Sequence, residues 1–150
     1  MTDRSLAGGK AFALARLSDA FDEIPTWFVI SPAAFHASLD QQQSAVFRTE
    51  GCTPELLETL NPSVELRKQV STALDEIAAT DEFVAVRSSA VEEDSAAASF
   101  AGQLESYLNV SHDDIWQRIA DVWRSGFSER VHVYREQKGL AGKPHPPAVL

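Results

Sequence analysis

The chain has 150 residues, 44% hydrophobic and 23% charged, with 13 basic and 22 acidic side chains giving a formal net charge of −9. That length sustains one core burying roughly 70% of the unfolded surface. The acidic balance argues against sequence-independent nucleic-acid binding, which needs a basic footprint. The single cysteine, Cys52, excludes an intrachain disulfide and a cysteine-cluster zinc site. No apolar run approaches the ~20 residues of a membrane span, and MTDRSLAGGK has no apolar signal-peptide segment. A cytoplasmic protein with no membrane or nucleic-acid partner is the expectation.

Leu6-Ala7-Gly8-Gly9-Lys10 reads as a Gly-rich turn opening a helix, with Phe12, Leu14, Leu17 and Phe21 in helical spacing. Glycines at a helix start free backbone amides beside the positive end of the dipole, and Lys10 adds a full charge. So short a motif fits a phosphate site, but a solvated lysine is the commoner reading. Ile24–Ile30 reads as a short strand. Ser31-Pro32 then opens a helix through about Leu39, with Ser as N-cap and Pro in the first turn. Gln41–Gly51 is polar and reads as a mobile connection.

Thr53-Pro54 and Asn61-Pro62 repeat the cap-then-proline signal, opening a short helix and a longer one to about Ala79. Val64, Val70, Leu74 and Ile77 form the apolar stripe of the second. Ser111 is read as the cap of a helix with Asp113 and Asp114 in its first turn, favourable near the dipole, and Ile115, Trp116, Ile119, Val122 and Trp123 make it amphipathic. Ser128 restarts a helix to about Lys138, with Val131 and Tyr134 inward and Arg130 and Arg135 outward. Prolines 144, 146 and 147 mark an extended segment, and Ala148-Val149-Leu150 reads as the start of a strand.

The informative stretch lies between these helices. Phe83–Val86 is a short β-rich apolar run that ends on Arg87, followed by the hydroxyls Ser88 and Ser89. Ala90–Ala101 has no helical or strand period; Gly102 punctuates it, and a second apolar stretch follows at Tyr107–Val110. An arginine and two hydroxyls delivered into a long small-residue loop suit an anion site, because Arg is a rigid fork of donors and Gly admits close backbone approach. An ordinary strand end with an exposed arginine has the same pattern.

VRSSAVEEDSAAASFAGQLESYLNV resembles the nucleotide-binding signature of the phosphoenolpyruvate synthase and pyruvate phosphate dikinase family, V-R-S-S-A-x-x-E-D followed by A-S-F-A-G-Q-x-x-T-x-L-N. LAGGKAFALARL, IPTWFVISPAAF and WRSGFSERVHVYREQKGL are similar to three further family blocks, in the same order. The resemblance implies an α+β fold: a partial ATP-grasp-like lobe with a small mixed sheet from 26–30, 83–88 and 106–110, flanked by about five helices. It implies that ATP is cleaved and a phosphoryl group passed to a histidine on another domain. Lys10 and Arg87 match phosphate-contacting residues, Arg87 being the catalytic one. Gly102 matches a flap glycine, and Ser106 stands where the family has a phosphate-contacting threonine. Glu92, Glu93 and Asp94 lie at the acidic pair and read as a solvated loop.

Segments resembling the family's adenine contacts, magnesium ligands, phosphohistidine motif and pyruvate-binding domain are not found in residues 1–150, so a truncated nucleotide-binding lobe is expected, inactive alone and prone to self-association. Its partners are expected to be ATP and the remaining domains of the parent enzyme, with magnesium held beyond residue 150. The resemblance also leaves room for related dikinases acting on rifampin or glucan, and for a non-catalytic nucleotide-binding or regulatory module. Retention of Lys10 and Arg87 favours the catalytic lineage.

Overall fold

A computed structural model describes residues 4–90, 104–140 and 142–150, and the backbone but not the side chains of residues 4–6. The elements run α1 (Arg4–Ser18), α2 (Pro32–Ser38), α3 (Gln41–Thr49), α4 (Pro54–Thr59), α5 (Val64–Ile77), β1 (Val84–Ser89), β2 (Ser106–Val110), α6 (Ile115–Ser125), α7 (Glu129–Gln137) and β3 (Ala148–Val149). The α+β class expected from the sequence holds.

The sheet has the order β2-β1-β3, and where a mixed sheet was expected, both described pairings are antiparallel. Val84 pairs with Val110 and Val86 with Tyr107, so two steps along β1 oppose three along β2. The extra β2 residue is absorbed where Asn109 takes a φ of 55°. The strand expected over 24–30 contributes one bridge, Ile30 to Val149. Its ladder stops because Pro32 follows Ile30 closely and Pro146-Pro147 precede β3, and neither side can donate there.

Val86 and Val110 turn one face of the sheet onto Ile115, Ile119 and Val122 of α6, all buried. Phe35 sits at the centre of the core, with ring centroids 5.5 Å from Phe47, 5.7 Å from Trp123 and 5.6 Å from Phe127. Both Phe35 and Trp123 are fully buried, as the amphipathic pattern implied for the tryptophan.

Several local expectations change. The polar run after residue 40 is not a loop: Asp40 and Gln43 form a reciprocal capping box that starts α3. The long helix is capped by Ser63 rather than Asn61; Leu66 takes the buried position assigned to Val64, which is 72% exposed. Ser111 opens the turn before α6 by bonding Asp114, but the N-cap itself is Asp114. Among the described residues no helix is long and apolar enough to cross a membrane.

Candidate phosphate-contact site

The glycine pair does not precede α1 but kinks it. Gly8 has φ 79° and ψ 175°, a region open to glycine almost alone, and Gly9 and Lys10 follow inside the helix. The kink exists because the helix meets the end of β1 there. A β-carbon on Gly8 would fall 2.5 Å from Ser89 Oγ and closer still to the Ser89 carbonyl. The helix that restarts has first-turn amides without intrahelical partners. The end of β1 and the residue after it supply them: the Gly9 amide donates to the Ala90 carbonyl at 2.9 Å, and the Ala11 amide donates to Ser89 Oγ at 3.1 Å. Amides freed by the glycine pair are thus spent on the protein. Leu17 and Phe21, expected on the apolar face of this helix, are 45% and 60% exposed, because the packing contact lies at its start.

Lys10 follows from that docking. Its half-buried ammonium donates to the Ser88 carbonyl at 3.2 Å, one residue from Arg87. The backbone of Arg87 is fixed by a reciprocal pair of 2.8 Å bonds with Leu150, while its side chain is exposed. Arg87 and Ser89 are two apart on a strand and share a face. The guanidinium therefore leaves the sheet on the side where α1 docks. On β2, the register places Ser106 directly opposite Arg87. Cross-strand partners on one face have Cβ atoms roughly 5 Å apart, so two residues far apart in the chain present a guanidinium and a hydroxyl side by side. Lys10, Arg87 and Ser106 thus gather at one end of the sheet. Gly102 and the 91–103 stretch lie outside the described residues.

The start of β2 is held on three sides. The Glu105 carbonyl accepts from the Ser88 amide at 3.2 Å, its amide donates to Ser125 Oγ at 3.3 Å, and its carboxylate meets Arg130 at 3.1 Å. That ion pair is largely exposed and adds little stability alone. The two backbone contacts fix the height of Ser106 relative to Arg87.

Two clefts adjoin the site. One of about 800 Å³ runs between β1, the 24–30 segment and α5, walled by Trp27, Phe28, Ile77 and Val84, with Arg87 at its rim. The other, about 350 Å³, is lined by residues that include His36, Ser89, Ala90, Arg135 and His145. Arg135 was expected outward and is 5% exposed. Val131, one turn earlier and also buried, lies on the same helix face, and that i, i+4 spacing was the available signal. Burial, and then the neighbouring His145, hold the His36 imidazole below its ordinary pKa. Ser88 and Ser89, read from the sequence as hydroxyls suited to an anion, are both buried, and Ser89 Oγ accepts from the Ala11 amide instead.

A lysine, an arginine and a hydroxyl thus stand around one strand end. The pattern of the pyruvate phosphate dikinase AMP/ATP-binding domain covers residues 4–149, and the chain belongs to that family. Among its relatives, the rifampicin phosphotransferase of Bacillus subtilis is 31% identical over 157 residues, covering 93% of this chain and 18% of the relative. A probable phosphoenolpyruvate synthase of Pyrococcus abyssi is 38% identical over 105 residues, 67% of this chain and 12% of the relative. Another, from Methanothermobacter thermautotrophicus, is 31% identical over 169 residues, 92% of this chain and 23% of the relative. The chain therefore spans less than a quarter of the length of these relatives.

Proposed function

We propose that this domain is the phosphate-contacting lobe of an ATP-dependent phosphotransferase, holding ATP while a phosphoryl group passes to a carrier histidine on another domain. Phosphoryl transfer needs little covalent help from the protein; it depends on positioning and on neutralising charge on the phosphate oxygens. In this reading Arg87 binds two oxygens with its planar fork, Lys10 adds a point charge, and the Ser106 hydroxyl donates to a third oxygen. Gly102 is assigned the flap role by its place in the motif. The register of Arg87 against Ser106, with Lys10 tied to the next residue of β1, is the observation that carries the proposal.

The reading includes magnesium as the companion of ATP, and no residue of this chain is assigned to it. The same reading makes the protein cytoplasmic and the remaining domains of a phosphoenolpyruvate synthase-like enzyme its working partners. Exposed Phe83 and Leu108 support association of the isolated chain. Titration of ATP, GTP and inorganic triphosphate into wild type, Arg87→Ala and Arg87→Lys tests the proposal. Weak, salt-sensitive binding, around millimolar, is expected to follow the triphosphate rather than the base. It should vanish in Arg87→Ala and return in part in Arg87→Lys. Equal binding by wild type and Arg87→Ala removes Arg87 from the site.

A further inference from the structure

We infer that Ser89 is a positioning residue, setting the lysine of α1 in register with the arginine of β1; this rests on the phosphate-contact reading above. Three consecutive residues of β1 and its end divide the work. Arg87 points to the exposed face, the Ser88 carbonyl accepts from the Lys10 ammonium, and Ser89 Oγ accepts from the Ala11 amide. Ser89 is 1% exposed, so no solvent competes for that acceptor. The kink at Gly8 is what makes the hydroxyl necessary. It interrupts the helical ladder, and the helix beyond it begins with orphan amides that a side-chain cap ordinarily satisfies from its own chain. Here the cap comes from the neighbouring strand.

A cap borrowed from another element does more than stabilise a helix end. It fixes the rotation and height of that end on β1, and Lys10 is the residue immediately before the capped amide. Gly8, pressed against the Ser89 carbonyl with no room for a side chain, limits the same movement from the other side. Without the Ser89 acceptor the Ala11 amide is left buried and unpaired, and the helix start relieves this by lifting toward water. The Lys10 ammonium then moves relative to Arg87 while the sheet stays intact. Ser89 thus acts on phosphate affinity through Lys10 and touches no ligand itself.

Inorganic triphosphate is the probe, titrated by NMR into the folded chain. Ser89→Ala is expected to bind about tenfold more weakly, equivalent to 1.4 kcal/mol, and Ser89→Thr, which keeps the acceptor, to stay within about twofold of wild type. Lys10→Met should also weaken binding, and adding Ser89→Ala to it should cost nothing further, because the two act through one group. Additive losses assign Ser89 a general structural role and overturn the inference. So does wild-type binding by Ser89→Ala when Lys10→Met is impaired, and in that case the phosphate site itself stands. Wild-type binding by both Lys10→Met and Arg87→Ala instead removes the phosphate site. If Ser89→Ala does not fold, amide exchange in the wild-type protein decides. Triphosphate should slow exchange at Ala11, and unchanged exchange there rejects the coupling.

Discussion

Gly8→Ala places the docking of α1 on β1 under direct test. The backbone at this position has φ 79° and ψ 175°, which a non-glycine residue adopts only at a cost of about 1–3 kcal/mol. The new methyl would also sit 2.5 Å from Ser89 Oγ, with the Ser89 backbone nearer, so relief requires moving the strand or the helix. The strand is paired on both sides, whereas the helix start is tied to it through the Gly9–Ala90, Lys10–Ser88 and Ala11–Ser89 hydrogen bonds. Each is worth about 1 kcal/mol net, which makes detachment the cheaper response. The total loss is therefore about 2–4 kcal/mol, or a fall in Tm of about 5–15 °C for a chain of this size. Gly142→Ala is the matched control. Its φ is 90°, but among the described residues beyond its chain neighbours nothing lies within 4 Å of the added carbon, so it carries mainly the backbone penalty, about 1–2 kcal/mol. Thermal melts of the two variants, with amide exchange at Ala11, give the comparison. If Gly8→Ala melts no lower than Gly142→Ala and Ala11 stays protected, the close contact does not hold α1 in place.

Three further outcomes are expected. Phe35→Ala removes a fully buried ring touching Phe47, Trp123 and Phe127 and should cost about 3–5 kcal/mol in urea denaturation; a loss below about 1 kcal/mol contradicts the core described. Ser88 Oγ is buried without a partner among the described residues, so Ser88→Ala should leave Tm unchanged or raise it, and a clear fall means that a partner exists. His36 has a lowered pKa in the folded protein, so the unfolded chain takes up its proton first as pH falls through the ordinary value of 6.5. Stability should therefore decline from pH 7 to pH 5, and by less in His36→Gln; identical pH profiles of Tm would reject that role for His36.

The sequence exposed the family and the α+β class, because the motifs around Lys10 and Arg87 are local and β1, β2 and α6 follow short-range apolar patterns. Ser106 was assigned by its place in the motif, while its position opposite Arg87 depends on a β2 irregularity at Asn109 that no alternation rule locates. Misreadings arose where one signal had two meanings. Asn61-Pro62 and Ser63 both offer caps two residues apart, and tertiary packing of Leu66 selects the second. Arg135 carries a charge that suggests solvent, yet its helix face is set by Val131. The Gly8-Gly9 pair indicates unusual backbone; whether the freed amides meet a ligand or a strand is decided by Ser89, far along the chain.

Residue-resolved mapping of ATP binding tests the central claim most directly. Amide and side-chain NMR shifts recorded during an ATP titration are expected to be largest at Lys10, Arg87 and Ser106, with smaller changes at Gly9 and Ala11, and to be reproduced in pattern by inorganic triphosphate. Shifts confined to the apolar cleft beside Trp27 and Phe28, or to the cleft around His36 and His145, with Lys10, Arg87 and Ser106 silent, would contradict it.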